Sequence, residues 1–126
     1  MQRFLWICLG GATGSGLRYL VSGWVLRLAG DSFPFGTLSV NLLGSFLLGG
    51  LMHVGLSTEA LSPTLRIAAA TGLLGSFTTY STFSYETMRL LQEGAWGQAT
   101  LNVALTVAAC LAASYAGFLL ARWLVG

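Results

Sequence analysis

The stretch from Gly72 to Glu86, Gly-Leu-Leu-Gly-Ser-Phe-Thr-Thr-Tyr-Ser-Thr-Phe-Ser-Tyr-Glu, decides how the rest of the chain is interpreted. It lies inside an otherwise apolar segment. Hydroxyl groups alternate there with aromatic rings: Ser76, Thr78, Thr79, Ser81, Thr82 and Ser84 with Phe77, Tyr80, Phe83 and Tyr85. Gly72 and Gly75 precede this run and favour a break in the helix. Because irregular backbone inside a membrane occurs only where protein or water covers it, the run predicts the lining of an ion path.

The composition of the chain indicates an integral membrane protein. Of its 126 residues, 55% are hydrophobic and 8% are charged, whereas a soluble domain carries roughly 25% charged residues. A helix that crosses a bilayer needs about 20 mostly apolar residues. Four stretches satisfy this requirement, at residues 4–28, 36–56, 65–91 and 96–124. The sequence therefore predicts one all-α transmembrane domain over residues 1–126, with four membrane helices and a break in the third.

The arginines give almost no signal for orientation in the membrane. The chain contains no lysine. If its N-terminus is cytoplasmic, Arg3, Arg66 and Arg122 lie on that side and Arg27 and Arg89 on the other. Positive residues mark the cytoplasmic side of membrane proteins, so three against two favours insertion in both orientations. Four spans of this length cannot both enclose and shield a pore, and we therefore expect a dimer or a larger assembly. Insertion in both orientations would allow an antiparallel dimer.

Two polar residues within the first two predicted spans, Arg18 and Asn41, could contribute to a site. Arg18 is in the middle of the first span, where a charge is costly and normally faces a partner or a cavity. It either attracts anions into a vestibule or forms a structural ion pair, for example with Glu86. Asn41 either donates to an anion or makes an interhelical hydrogen bond, and its spacing alone favours the hydrogen bond.

The fourth span carries a polar stripe. Asn102, Thr106 and Cys110 follow at intervals of four residues, and such residues share one face of a helix. This face lines a path or forms a packing seam, and the spacing does not choose between them. Pairs of small residues four apart predict close helix packing: Gly10 with Gly14, Ala12 with Gly16, and Ser45 with Gly49.

The central run also indicates the type of ion. Hydroxyl hydrogens and the positive edges of aromatic rings suit an anion, whereas carbonyl oxygens freed by a helix break suit a cation. The run offers both. No carboxylate lies in the first span or before the run in the third span, which argues against proton-coupled export of cationic drugs.

Taken together, these residues resemble the Fluc (CrcB) fluoride channels over essentially the whole chain. The resemblance rests on the length, the arginine in the first span, Gly36-Thr37-Leu38 through Asn41, and the motif from Thr79 to Ser84. It implies passive export of cytoplasmic fluoride across the bacterial inner membrane by a multi-pass, dual-topology antiparallel homodimer with two pores. Its partners would be fluoride, a second copy of the chain and the lipid bilayer, with no nucleic acid.

The resemblance also implies roles for individual residues. The third helix would break at the membrane centre, and the backbone carbonyls of Gly75 and Thr78 from both subunits would hold a structural sodium ion. Tyr80 and Phe83 would face fluoride with their ring edges, and Asn41 would donate to the ion. The remaining matches are a polar track of Ser81, Thr82 and Glu86, the vestibule Arg18, and the positions of Thr106 and Cys110 on the fourth-helix pore face. Two departures bear on conduction, because Tyr80 replaces the usual phenylalanine and cysteine is a weak donor.

Three other functions are weaker. A small multidrug-resistance-type exporter needs a titratable carboxylate in its first span, which is missing here. A non-transporting assembly module would leave Arg18 and the broken third span unexplained. An enzyme is least favoured, because the sequence has no nucleophile–base pair or metal-ligand cluster.

Overall fold

The computed structural model describes residues 1–126, and all of its regular secondary structure is helical. Helix α1 spans Gln2–Ala29 and helix α2 spans Phe35–Ser57. A composite segment follows and contains α3 (Pro63–Ile67), a π-helical segment (Ala68–Leu74), α4 (Gly75–Phe77) and α5 (Tyr80–Gln92). The last helix, α6, spans Trp96–Val125. The predicted all-α class is confirmed.

The third predicted stretch is interrupted between α4 and α5. Thr78 and Thr79 both have extended backbone, with φ and ψ of −85° and 159° at Thr78 and −149° and 114° at Thr79. The break therefore follows Gly72 and Gly75, both of which lie within helical backbone. The prediction of a break was right, but its attribution to the glycines was wrong. At Gly72 the missing side chain serves close packing instead, since a Cβ there would lie 2.7 Å from the carbonyl oxygen of Ile7.

Small residues on α1 bring it against the π segment. A Cβ at Gly10 would lie 2.6 Å from the carbonyl oxygen of Ala68, and a Cβ at Gly14 would overlap the carbonyl oxygen of Leu73. Gly16 has no neighbouring atom within 4 Å of its missing Cβ. Of the two small-residue pairs predicted on α1, Gly10 and Gly14 thus mediate this contact, whereas Gly16 does not.

Helices α2 and α6 pack through the third small-residue pair. A Cβ at Gly49 would overlap the backbone of Ser114. The hydroxyl of Ser114 donates to the carbonyl oxygen of Ser45 over 3.1 Å. This close contact fixes α6 beside α2, and it places the polar stripe of α6 near the break.

The single chain leaves most of its apolar surface uncovered. Only 20 of its 126 residues are buried, and Trp24, Trp96 and Trp123 are between 64% and 80% exposed. Helices α2 and α6 are long and apolar enough to cross a membrane. Helix α1 has sufficient length, at 28 residues, but it is less apolar because it carries arginines and many glycines. Apolar surface of this extent requires cover by lipid or protein.

Candidate functional site

The break in the third segment is held by the side chain of Asn41 on α2. Its Nδ2 donates to the carbonyl oxygen of Thr79 over 3.1 Å, and its Oδ1 accepts from the backbone N–H of Thr79 over 2.7 Å. Asn41 and Thr79 are each only 8% exposed. Because an unpaired backbone group is costly in an apolar setting, this paired contact stabilises the extended backbone. The interhelical hydrogen bond that the sequence favoured is thus present. The Nδ2 of Asn41 carries two hydrogens, and only one of them is donated to Thr79.

Thr79 also begins helix α5. Its Oγ1 accepts from the backbone N–H of Thr82 over 3.1 Å, as expected for a threonine N-cap. The same oxygen lies 2.9 Å from the hydroxyl of Thr82 and 3.4 Å from that of Ser81. The hydroxyl run therefore forms a connected group around the first turn of α5.

The break frees carbonyl oxygens from helical hydrogen bonds. In an uninterrupted α-helix the carbonyl of Gly75 would accept from the N–H of Thr79, and that of Thr78 from the N–H of Thr82. These two N–H groups donate instead to Asn41 Oδ1 and to Thr79 Oγ1. Gly75 keeps only a long contact of 3.5 Å from the hydroxyl of Thr78. Two carbonyl oxygens without their usual helical partners thus lie close together in sequence at the break.

Two cavities adjoin this break. The arginine cavity, of about 550 Å³, is lined by residues of α1, the α1–α2 loop, the start of α2 and α5, including Arg18, Thr37, Thr82, Glu86 and Arg89. The aromatic cavity, of about 370 Å³, lies between α2, α5 and α6 and is lined by Asn41, Thr78, Tyr80, Phe83, Thr106 and Cys110 among others. Thr79 lines both cavities. The break therefore contributes to the walls of both cavities.

The arginine cavity combines charges of both signs. Arg18 is half-buried and lines it together with Glu86, but the ion pair found in the structure joins Arg89 to Glu93, with Nε and Oε1 3.7 Å apart. Glu86 instead accepts a hydrogen bond from the hydroxyl of Thr37. The alternative of an Arg18–Glu86 ion pair is therefore wrong for the single chain, and the guanidinium of Arg18 is left to the cavity.

The two aromatic residues of the motif differ sharply in exposure. Phe83 is 8% exposed, whereas Tyr80 is 82% exposed, with their ring centroids 5.7 Å apart and their planes tilted by 58°. Both rings line the aromatic cavity. Phe83 is thus a wall fixed within the chain, while most of the Tyr80 ring projects away from it.

The polar stripe of α6 divides between the cavity and the helix interface. Thr106 and Cys110 line the aromatic cavity, whereas Asn102 lines neither cavity and is 2% exposed. The amide of Asn102 bonds to Thr87 of α5 and to Thr106. Both alternatives for this face are therefore realised, a seam at Asn102 and a cavity lining from Thr106 onward.

The structure brings most of the predicted site residues to the two cavities, but not all of them. Ser81 is exposed and lines neither cavity. The sequence did not predict the individual contacts of Thr37, which bonds Glu86, or of Thr79, which lines both cavities. Thr79 had a usable signal, because a threonine that precedes a helix by one residue is a common N-cap.

Comparison with known proteins identifies the family. Residues 5–118 match the family described as CrcB-like protein, Camphor Resistance (CrcB). The chain belongs to the CrcB family. The family resemblance inferred from the sequence is thereby confirmed.

Several relatives of this CrcB chain carry the same descriptive name. It is 53% identical over 126 residues to a protein named "Fluoride-specific ion channel FluC" in Anaeromyxobacter dehalogenans, covering 100% of both chains. Proteins of this name in Sorangium cellulosum and Geobacter sulfurreducens are 47% and 48% identical, with 99% and 98% of this chain covered. Together with its two membrane-length apolar helices, membership of this ion-channel family makes the CrcB chain a membrane protein and not an enzyme.

Proposed function

We propose that the chain is a fluoride-selective channel that lets cytoplasmic fluoride leave the cell passively and so relieves its toxicity. One observation carries the proposal: Thr79, at the break, lines both cavities, so the break borders the arginine cavity and the aromatic cavity together. The relatives' name supports fluoride as the ion.

The path would supply donors in succession to a small, strongly hydrated anion. Arg18 attracts the anion into the arginine cavity, whose wall also includes Thr82 and Thr79. The second hydrogen on Nδ2 of Asn41 is available in the aromatic cavity. The ring edges of Tyr80 and Phe83 add positive partial charge there. Such a sequence replaces water molecules one at a time, as ion selectivity requires.

The active form would be an antiparallel homodimer with dual topology, in which each chain contributes four membrane spans to the bacterial inner membrane as one domain. Two features of the single chain favour a second copy. Most of its apolar surface is uncovered, and Tyr80 is 82% exposed although it lines the aromatic cavity. A partner chain packed against this ring would close the cavity.

The break suits a structural sodium ion at the dimer centre. Gly75 and Thr78 have carbonyls without their helical partners, and hard cations prefer oxygen ligands of this kind. Two such oxygens from each of two chains would surround one ion. The ion would lock the two breaks together and would take no part in transport.

The competing exporter of cationic drugs lacks its coupling group. The charged side chains of α1 are all arginines, and the path carries its only half-buried carboxylate at Glu86, already bonded to Thr37. Arg18 also places a fixed positive charge in the cavity wall, which disfavours a cation close to it.

Efflux from proteoliposomes tests the proposal directly. Vesicles loaded with fluoride should release it rapidly when they contain the unmodified chain, and chloride-loaded vesicles should not release chloride. The Thr100→Val variant, changed at an exposed position of α6, should behave like the unmodified chain. Absence of fluoride release from folded dimers would overturn the channel proposal and return the polar run to a packing role.

A further inference from the structure

A chain of hydrogen bonds links the carbonyl of Phe83 to the hydroxyl of Thr106. Thr87 Oγ1 donates to the carbonyl oxygen of Phe83 over 2.8 Å and accepts from Asn102 Nδ2 over 2.9 Å. Asn102 Oδ1 then accepts from Thr106 Oγ1 over 3.3 Å. Thr87 and Asn102 line neither the arginine cavity nor the aromatic cavity, whereas Phe83 and Thr106 line the aromatic cavity. The chain thus connects two points of the cavity wall through the α5–α6 interface.

Counting protons shows what this arrangement does at the cavity. Each hydroxyl has one hydrogen to donate. Thr106 gives its hydrogen to Asn102, so it presents only lone pairs to the aromatic cavity. Lone pairs repel an anion. As the bonds stand, Thr106 is therefore unsuited to binding fluoride.

The same heavy atoms permit the reverse direction. The amide of Asn102 carries its oxygen and its nitrogen on two arms of equal shape. If the amide turns over, Thr87 donates to Asn102 Oδ1, and Asn102 Nδ2 donates to Thr106. The hydrogen of Thr106 is then free to face the cavity. The carbonyl of Phe83 loses only the bond from the Thr87 hydroxyl, because as a helical carbonyl it also accepts the main-chain N–H four residues later.

We propose that Asn102 and Thr87 are positioning residues that turn Thr106 from an acceptor into a donor when an anion occupies the aromatic cavity. This inference rests on the proposed fluoride channel. The reversal leaves no buried group unpaired, because the amide of Asn102 presents one donor arm and one acceptor arm in either orientation.

The NMR signals of the side-chain amides in the unmodified protein test whether the amide of Asn102 turns over. The chain has only two asparagines, Asn41 and Asn102, so protein labelled with ¹⁵N at asparagine side chains gives two pairs of resonances in an NMR spectrum of the dimer. Titration with sodium fluoride should shift the resonances of Asn102, although it lines neither cavity, and sodium chloride at equal concentration should not. The shift should disappear in Thr106→Val. A protein that conducts fluoride while the Asn102 signals stay unmoved would overturn the inference. A protein that conducts no fluoride would overturn the channel proposal itself.

Variants of Thr87 give a functional test. Thr87→Val keeps the shape and loses the hydroxyl, and it should lower fluoride flux per folded dimer about fivefold, the scale of one hydrogen bond. Thr87→Ser keeps the hydroxyl and should stay within about twofold of the unmodified chain. The control Thr100→Val should show no change. Equal flux in the Val and Ser variants would overturn the positioning role, since a purely structural hydroxyl would alter only the melting temperature. Should Thr87→Val not fold, the NMR titration decides.

Discussion

Replacing Asn41 with leucine should destabilise the protein strongly, because one side chain satisfies both backbone groups of Thr79. Its amide accepts from the N–H over 2.7 Å and donates to the carbonyl over 3.1 Å. Leucine has a similar size and leaves little cavity, so the loss is mainly electrostatic. Each buried group left unpaired costs about 1–3 kcal/mol, which gives a loss of about 2–6 kcal/mol for the pair.

The assay is the unfolding free energy of the dimer in detergent, followed by circular dichroism during denaturant titration. Ser39→Ala is the matched control on α2, because the hydroxyl of Ser39 does not bridge to the break, and it should stay within about 0.5 kcal/mol of the unmodified chain. The reasoning is refuted if Asn41→Leu also stays within that range, since Thr79 would then hold its extended backbone without Asn41.

Three further predictions follow from contacts already described. Gly14→Ala should cost about 1–3 kcal/mol of unfolding free energy, because its Cβ overlaps the backbone of Leu73. Gly16→Ala, with open space at the Cβ, should be neutral or stabilising by up to about 1 kcal/mol. If Gly14→Ala and Gly16→Ala changed the unfolding free energy equally in a denaturation assay, the packing argument would be contradicted. Phe83→Ile should reduce fluoride efflux more than it reduces dimer stability, so a folded variant with full efflux would remove the ring-edge role. Sodium should raise the melting temperature of the dimer above its value in a bulky organic cation, and identical values would exclude the carbonyl site.

The sequence predicted the break in the third segment but not what holds it. Alternation of hydroxyls and rings indicates backbone that lipid cannot cover, and this property is local. The actual position of the break depends on Asn41, which lies 38 residues before Thr79. No local pattern shows that these two residues meet. The sequence favoured a break caused by Gly72 and Gly75, whereas the residues with extended backbone are Thr78 and Thr79.

The polar stripe on α6 illustrates a second limit of prediction from the sequence. Periodicity placed Asn102, Thr106 and Cys110 on one face, and the structure agrees. Which of them faces a cavity depends on the angle at which α5 crosses α6, and that angle comes from packing between side chains distant in sequence. Asn102 is buried against Thr87 of α5, whereas Cys110 lines the aromatic cavity. The π segment was also not predicted, since Ala68–Leu74 has the composition of an ordinary apolar helix.

That π segment gives the chain a place where its length can change. Its wider turns take up more residues than α-helical turns do, so a chain one residue shorter there can return to α-helical geometry while the side chains on either side keep their directions. The same deletion within α2, between Thr37 and Asn41, would rotate one of these residues relative to the other by about 100°. Thr37 could then no longer face Glu86 while Asn41 faces Thr79. A one-residue deletion should therefore be tolerated better at Ala68–Leu74 than at the start of α2.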